Sequence, residues 1–490
     1  MTEQSNKQIV IKGISSQTLV TIVNGLVEIF SFSVMSRLLT KEDFGYYAVL
    51  VSVTTVFSSL SETGIGSAII QKQNINNKYV NNAFTLSFIV GGILTLALCI
   101  TAGPIATVVA DSSVKIPLML MSITLLCHCL TSVSNSLMQR DLKFITLGMI
   151  RLASLVITTI IAIILAIKDF GYYAILTKTI LASILTLLLS LYFARTRFYF
   201  TYDFKVCRSI FGYSGWLMAS AFFRNFAQQA DRLLMSRLLS VATLGAYNRP
   251  KDFINQIASQ FTTIFDVVLF PVLSNIQDKK ESMQNAYISS FYYLNMFSML
   301  LSLTFIFNTE LLIRIFLGEQ WLELATLFRI LSVSVIFVVD GTIADCYFRS
   351  LALTKQQFYF RIIQFVLSLF GVLIGCFWNM TGIAISVVFV NFVMIIAKLI
   401  YLQGKVNISL YAISRTVLGS WRFTLYLFPL MVLLIYLTSN TLLGNVIVLF
   451  GWLIGVLIVF IVCPRMVGGL YYSQTYGILI SYIKKFISKH

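Results

Sequence analysis

Six polar side chains crowd into one short stretch of an otherwise apolar chain: Arg224, Asn225, Gln228, Gln229, Asp231 and Arg232. Arg224, Gln228 and Asp231 are spaced i, i+4, i+7, so on a helix they share one face, with Asn225, Gln229 and Arg232 as an adjacent stripe. Asn24, Glu28 and Ser31 repeat that spacing 200 positions earlier. In a membrane helix a charge costs at least about 2.5–3.5 kcal/mol, which is bearable only against water, a partner charge or a polar ligand. Such faces suit polar recognition rather than covalent chemistry. Lys178, Asp266, Asp340, Asp345, Lys398 and Glu62 also lie inside apolar runs, with Arg151 and Arg361 near helix starts. Two readings stay open for any one of them. It lines a polar cavity, or it is a paired charge that fixes packing, as Arg224 with Asp231, or Asp231 and Arg232 with Asp266, would be.

Composition dictates the elements that must carry these residues. Of 490 residues 58% are hydrophobic and 11% charged, and mean hydropathy is +0.86. Soluble proteins hold about 25% charged residues, so this chain cannot coat a globule with polar groups and reads as a polytopic membrane protein. A spanning helix needs roughly 20 apolar residues. The apolar runs predict helices near 15–38, 44–69, 82–104, 114–138, 146–167, 171–193, 211–238, 252–275, 286–309, 322–347, 357–378, 381–402, 421–438 and 441–463, fourteen in all. The long unbroken runs do not fit the alternating strands of a transmembrane barrel. Most of the 36 Lys and Arg residues fall between or beside these helices on one side, which places both termini in the cytoplasm by the positive-inside rule. The net charge of +17 is then topology and attraction to anionic lipid, and no nucleic-acid partner is implied. The N-terminal residues lack the pattern of a cleaved signal.

An internal repeat organises the helices. Met35-Ser36-Arg37-Leu38-Leu39 recurs as Met235-Ser236-Arg237-Leu238-Leu239, and Gly45 and Tyr47 recur as Gly245 and Tyr247. The fold class expected is all-α, with two six-helix lobes related by a pseudo-two-fold along the membrane normal, plus two C-terminal helices. The corresponding division is an N-terminal lobe at 1–194, a cytoplasmic linker at 195–210, a C-terminal lobe at 211–405, helices 13 and 14 at 406–463 and an interfacial tail at 464–490. The polar faces of helices one and seven would point into the gap between lobes. Arg37 and Arg237, at helix ends, read as snorkelling to the interface.

Several chemistries are absent from the sequence. There is no phosphate-binding G-x-x-x-x-G-K-[ST] loop, no metalloprotease helix, no G-x-S-x-G elbow and no D-x-D pair. His128 and His490 are the two histidines, and Cys127-His128-Cys129 reads as small residues in a membrane helix rather than a metal site. No metal, no cofactor and no disulfide is expected. No extramembrane loop exceeds roughly 20 residues, too little for a catalytic domain, so the expectation is a transporter, not an enzyme.

Five segments carry a family resemblance: SRLLTKEDFGYYA (36–48), LMQRDLKF (137–144), ADRLLMSRLLSVATLGAYNR (230–249), FPVLSNIQD (270–278) and FLGEQW (316–321). In this order they resemble Wzx-type polysaccharide flippases of the multidrug/oligosaccharidyl-lipid/polysaccharide exporter superfamily, in the branch of colanic-acid and teichuronic-acid exporters. The resemblance implies a bacterial cytoplasmic-membrane protein that moves an undecaprenyl-diphosphate-linked oligosaccharide to the outer leaflet by alternating access. Its partners would be that lipid-linked substrate, membrane lipids, and a polymerase and chain-length regulator of the same pathway. Arg224 and Arg232 would then contact diphosphate or acidic sugar, because Arg pairs with phosphate bidentately. Lys178 and Arg361 are second choices, and Gln228 and Asn24 add polar lining. Glu28, Asp231 and Asp266 would be protonation sites if transport is ion-coupled. A lipid II flippase and a drug or cation antiporter of the same superfamily are alternatives, the antiporter disfavoured by the arginines of helix seven. A membrane glycan polymerase or ligase would need a sizeable external loop.

Overall fold

The computed structural model describes residues 20 and 23–421 (leaving aside 63–64, 72–74, 110, 142, 195–198, 276–279, 352, 407–410 and 412), together with 444, 447, 450–452 and 454. All regular structure among the described residues is helical. The chain runs through α1 (23–38), α2 (Lys41–Glu62), α3 (Ile65–Gln71), α4 (Asn77–Val109), α5 (Lys115–Met121), α6 (Ile123–Arg140), α7 (Phe144–Ile167) and α8 (Tyr172–Ala194). It continues through α9 (Phe204–Leu238), α10 (Val241–Asn275), α11 (Lys280–Phe307), the single-turn α12 (Thr309–Leu312), α13 (Ala325–Ser350), α14 (Thr354–Gly375) and α15 (Asn379–Val406). Among the described residues helix lies along each of the first twelve apolar runs, with 44–69 divided between α2 and α3 and 114–138 between α5 and α6, and α9 and α10 begin earlier than the runs indicate; the expected residues 15–19 and 21–22 lie outside the described residues. The expected helices 13 and 14 lie mostly outside the described residues.

Capping explains the early starts. Asp203 caps α9 by accepting from the Lys205 amide at 3.0 Å. Ser240 caps α10 by accepting from the Thr243 amide at 3.1 Å. Thr40 and Asp43 do the same for α2 reciprocally: the Asp43 amide donates to Thr40 Oγ1 at 3.2 Å and the Thr40 amide to Asp43 Oδ2 at 3.0 Å, the pairing of a capping box. A cap satisfies amides that the first helical turn leaves open, so each helix extends to its cap even where hydropathy has fallen.

Among the described residues, seven helical stretches are long and apolar enough to cross a membrane, including Asn77–Val109, Phe144–Ile167 and Tyr172–Ala194. Their burial is inverted relative to a soluble protein. On α4, Ile100 is 77% exposed while Asn82 and Ser87 are fully buried. An apolar exterior of this size matches hydrocarbon, and this is an integral, multi-pass membrane protein.

The chain divides into two compact units. The first comprises 1–249, 316–320 and 361–383, the second 250–315, 321–360 and 384–490. In the first, α7 and α8 form an antiparallel pair joined by a tight turn in which Asp169 and Gly171 take positive φ (59° and 56°). Asp43 Oδ1 accepts the Tyr172 amide at 2.8 Å, so the residue that caps α2 also fixes the start of α8. The second unit is held by α11 against α13, with Phe253, Phe305 and Phe328 clustered at 6.0–6.3 Å between ring centroids.

Candidate functional site

The polar groups of the first unit gather around α1. Ser31 is fully buried, and its Oγ accepts from Lys178 Nζ of α8 and from Thr159 Oγ1 of α7, the latter at 3.3 Å. Glu28, one turn before Ser31, and Arg249 of α10 are the charged groups whose fields act on Lys178. One residue beyond Lys178, Thr179 shares a hydrogen bond with Tyr47 of α2 at 2.8 Å. Four helices thus deliver a lysine, a carboxylate and several hydroxyls to one seam within apolar spans. The cation of Lys178 is solvated by a hydroxyl rather than seated on a carboxylate at salt-bridge distance. Such a group can accept an anion without first breaking an ion pair.

Arg249 was not among the residues singled out by sequence. It is only 8% exposed, and its Nε donates to Ser36 Oγ at 2.8 Å while Nη2 donates to the Phe32 carbonyl at 2.5 Å. Its guanidinium carbon lies 3.3 Å from the ring centroid of Phe32 and 4.0 Å from that of Phe44. The signal that could have found it is a break in the repeat, because the position 200 residues earlier is Val49.

The remaining site candidates are dispersed. Asn24 is buried, and its Nδ2 donates to the Val20 carbonyl at 2.9 Å and to the Gly148 carbonyl of α7 at 3.4 Å, leaving its Oδ1 buried without a hydrogen bond. Arg224 and Gln228 are exposed on α9 and Arg232 is half-buried. Asp231 is buried, accepting at Oδ2 from Tyr247 Oη of α10 at 3.2 Å and at Oδ1 from the Arg232 amide at 2.9 Å. Gln229, on the adjacent stripe, accepts from Ser52 of α2 at 3.1 Å. Arg361 donates to Gln364 one turn along its own helix at 3.1 Å. The side chain of Asp266 lies outside the described residues.

In the second unit the intramembrane charges take the packing role. Lys398 of α15 and Asp345 of α13 form a buried ion pair at 2.9 Å, 5% and 14% exposed. Asp340 accepts from Asn295 Nδ2 at 2.7 Å, and Asn295 Oδ1 accepts from Ser420 at 2.6 Å, tying residues 413–421 to α11 and α13.

A family model described as "Polysaccharide biosynthesis protein" matches residues 34–326, more than half of the chain, and spans both α1's end and the Arg249 segment. The succinoglycan biosynthesis transport protein ExoT of Rhizobium meliloti (strain 1021) is 23% identical over 259 residues, 52% of each chain. The lipopolysaccharide biosynthesis protein WzxC of Escherichia coli (strain K12) is 22% identical over 363 residues, 73% of each chain. The chain thus spans about half the length of the first of these relatives. Among solved structures, the lipid II flippase MurJ in an inward closed conformation matches with a TM-score of 0.73 at 13% identity, over 92% of this chain and 98% of that one. An inward-facing multidrug resistance MATE family transporter of the MOP superfamily matches with a TM-score of 0.62 at 15% identity, over 80% and 98%. At these identities the structural likeness shows the fold: this chain has the fold of MOP-superfamily transporters.

Proposed function

Because the chain belongs to the polysaccharide biosynthesis protein family, we propose that it is a flippase that carries an undecaprenyl-diphosphate-linked oligosaccharide across the bacterial cytoplasmic membrane by alternating access, without catalysing a covalent step. The observation that carries the reading is the seam of Lys178, Ser31 and Glu28 inside apolar helices. A lipid tail can stay in the bilayer while its charged head group passes a polar surface, and a lysine hydrogen-bonded to a hydroxyl there offers that head group a charge-assisted contact. The transport and polysaccharide-biosynthesis names of the relatives support the same substrate class. Both termini lie in the cytoplasm on this reading, as the Lys and Arg distribution favours, and a polymerase and chain-length regulator act on the exported unit.

In this scheme Lys178 replaces Arg224 and Arg232 as the first diphosphate contact, since its ammonium donates within the seam to Ser31, which Thr159 also binds. Arg224 and Gln228, exposed on α9, meet the head group earlier or later along its path. The test is reconstitution into liposomes with a labelled undecaprenyl-diphosphate oligosaccharide, reading the fraction that a glycosidase outside can reach. Protein-dependent exposure of the glycan is expected, and Lys178→Met should slow it at least ten-fold at equal protein content. No exposure above empty liposomes would overturn the substrate assignment. Unimpaired exposure by the Lys178→Met protein would overturn the role of Lys178 alone.

A further inference from the structure

One end of the first unit carries a cluster that the seam around Lys178 does not use. The start of α2, the α4–α5 connection and the start of α8 each contribute to it. The ring of Tyr46 lies 5.2 Å from that of Tyr172, tilted by 34°, and the rings of Tyr172 and Tyr173 stack at 4.5 Å and 25°. Tyr46 Oη donates to Asp111 Oδ2 at 3.2 Å. Asp111 Oδ1 accepts the Ser113 amide at 2.8 Å and the Ser113 hydroxyl. Asp111 is exposed, Tyr173 is 39% exposed, and Tyr46 and Tyr172 are half-buried. The Ser113 hydroxyl holds the Asp111 carboxyl below its ordinary range, so it is an anion at neutral pH.

The backbone sets these rings in place. A Cβ on Gly171, whose φ is 56°, would lie 2.7 Å from Asp43 Oδ1, the oxygen that accepts the Tyr172 amide at 2.8 Å. The turn therefore needs glycine. Tyr172 and Thr179, seven residues apart, share a face of α8, and Thr179 bonds Tyr47, the neighbour of Tyr46. Tyr172 precedes Lys178 by six residues, which is about 9 Å of helix rise.

The chemistry of the cluster is that of carbohydrate recognition. A pyranose ring has a face of C–H groups and an edge of hydroxyls. The negative face of an aromatic ring attracts the first, while a carboxylate accepts from the second and a phenol can accept or donate. Tyrosines that only anchor a helix place single rings at the lipid boundary and need no shared carboxylate. Here stacked rings adjoin an exposed anion, which faces water. The fields of both Asp111 and Glu42 reach Tyr46, so the cluster suits an uncharged sugar and repels a uronic acid or a phosphate.

We propose that Tyr46, Tyr172, Tyr173 and Asp111 form a binding site for an uncharged sugar ring of the translocated oligosaccharide, on the extracytoplasmic side of the membrane. The proposal rests on the transport reading, whose topology turns the α1–α2, α4–α5 and α7–α8 connections outward. Sugars attached to a diphosphate on Lys178 extend along α8 toward this cluster.

The test is saturation-transfer NMR on full-length protein in nanodiscs, which avoids sugar-headed detergents. The probes are the methyl glycosides of glucose, galactose, mannose and N-acetylglucosamine, with methyl glucuronide as the anionic counterpart. Transfer to the ring C–H protons of at least one uncharged glycoside is expected, roughly three-fold or more above that for the glucuronide. Tyr173→Leu keeps apolar volume and removes the exposed ring, and should cut the transfer roughly three-fold or more. Asp111→Asn, which keeps an acceptor for Ser113, should cut it about two-fold and serves if the Tyr173 variant fails to accumulate. No transfer to any uncharged glycoside, equal transfer to the glucuronide, or a signal unmoved by these variants would overturn the site. Ser112, exposed beside Asp111, reports the side of the membrane. Ser112→Cys should react with an impermeant maleimide added to intact cells, with labelling of the parent protein subtracted. Labelling only after permeabilisation would overturn the extracytoplasmic placement. The NMR readout uses no lipid carrier, so the sugar site can fail while glycan exposure in liposomes stands, and glycan exposure can fail while the ring protons still report sugar contact.

Discussion

The segments 31–49 and 231–249 share one sequence pattern yet differ in what they do. Both end a long helix, turn through a capped start, and present a glycine four residues after the next helix begins. Both place a tyrosine two residues after that glycine. From there they part. Tyr47 turns to Thr179 of α8, while Tyr247 turns to Asp231 on the helix preceding its own. Ser31 receives a lysine, and its counterpart Asp231 receives a phenol. Both serines donate back into their own helix, Ser36 to the Phe32 carbonyl at 2.8 Å and Ser236 to the Leu233 carbonyl at 2.9 Å, and Ser36 also accepts from Arg249. The two segments share the scaffold in which equivalent helix starts meet, and they differ in what their polar positions bind. The first copy carries the cation-bearing seam, and the second supplies the arginine that ties down the first.

The sharpest way to break this comparison is at the shared glycines. A methyl group at either position meets backbone rather than a movable side chain, so Gly45→Ala and Gly245→Ala should each cost about 1–3 kcal/mol or more through overpacking. Both should lower the thermal unfolding midpoint in detergent, and by similar amounts because the contact is reciprocal. A large loss for one and none for the other would show that only one copy bears the contact. Next in size is the asymmetry at Ser31 and Asp231. Asp231→Asn keeps an acceptor for Tyr247 and should leave stability and glycan exposure within about two-fold of the parent. Lys178→Gln removes the seam's cation and should reduce glycan exposure several-fold while folding normally. Equal effects from the two would argue that the copies share the transport role.

Much of this was readable in advance, for definite physical reasons. Spanning helices must be apolar for about 20 residues, so runs such as 82–104, 146–167 and 171–193 stood out as membrane-crossing helices. The 200-residue offset foretold which glycines are equivalent, and the positions of Lys178, Asp345 and Lys398 inside apolar runs marked them as residues that need partners. What the sequence withheld were the partners themselves. Ser31 and Lys178 lie 147 residues apart, and nothing local connects them. Arg249 went unremarked because it closes the segment 230–249 just ahead of the helix expected at 252–275, where an arginine reads as an interfacial residue. Its burial between Phe32 and Phe44 is a tertiary fact. Arg224 drew attention for the opposite reason: its residue type in an apolar run is conspicuous, yet α9 leaves it exposed.

The smallest expected effect concerns the caps that the two copies share. Thr40 is tied on both sides, since its hydroxyl also donates to Asp43 Oδ2 at 2.7 Å, and Asp43 in turn anchors Tyr172. Ser240 pairs with Thr243 hydroxyl to hydroxyl at 2.7 Å, besides accepting its amide at 3.1 Å. Loss of a capping hydroxyl costs typically about 1 kcal/mol, and a carboxylate near a helix N-terminus adds a favourable interaction with the dipole that a hydroxyl cannot. Thr40→Ala should therefore lower the unfolding midpoint by a few degrees, and Ser240→Ala by less. Asp43→Asn should fall closer to Ser240→Ala than to Thr40→Ala, because it keeps the hydrogen-bonding geometry and loses only the charge. If Asp43→Asn proved as damaging as Thr40→Ala, the charge rather than the cap geometry would be what holds the α2 start against α8, and the first copy would differ from the second even in its scaffold.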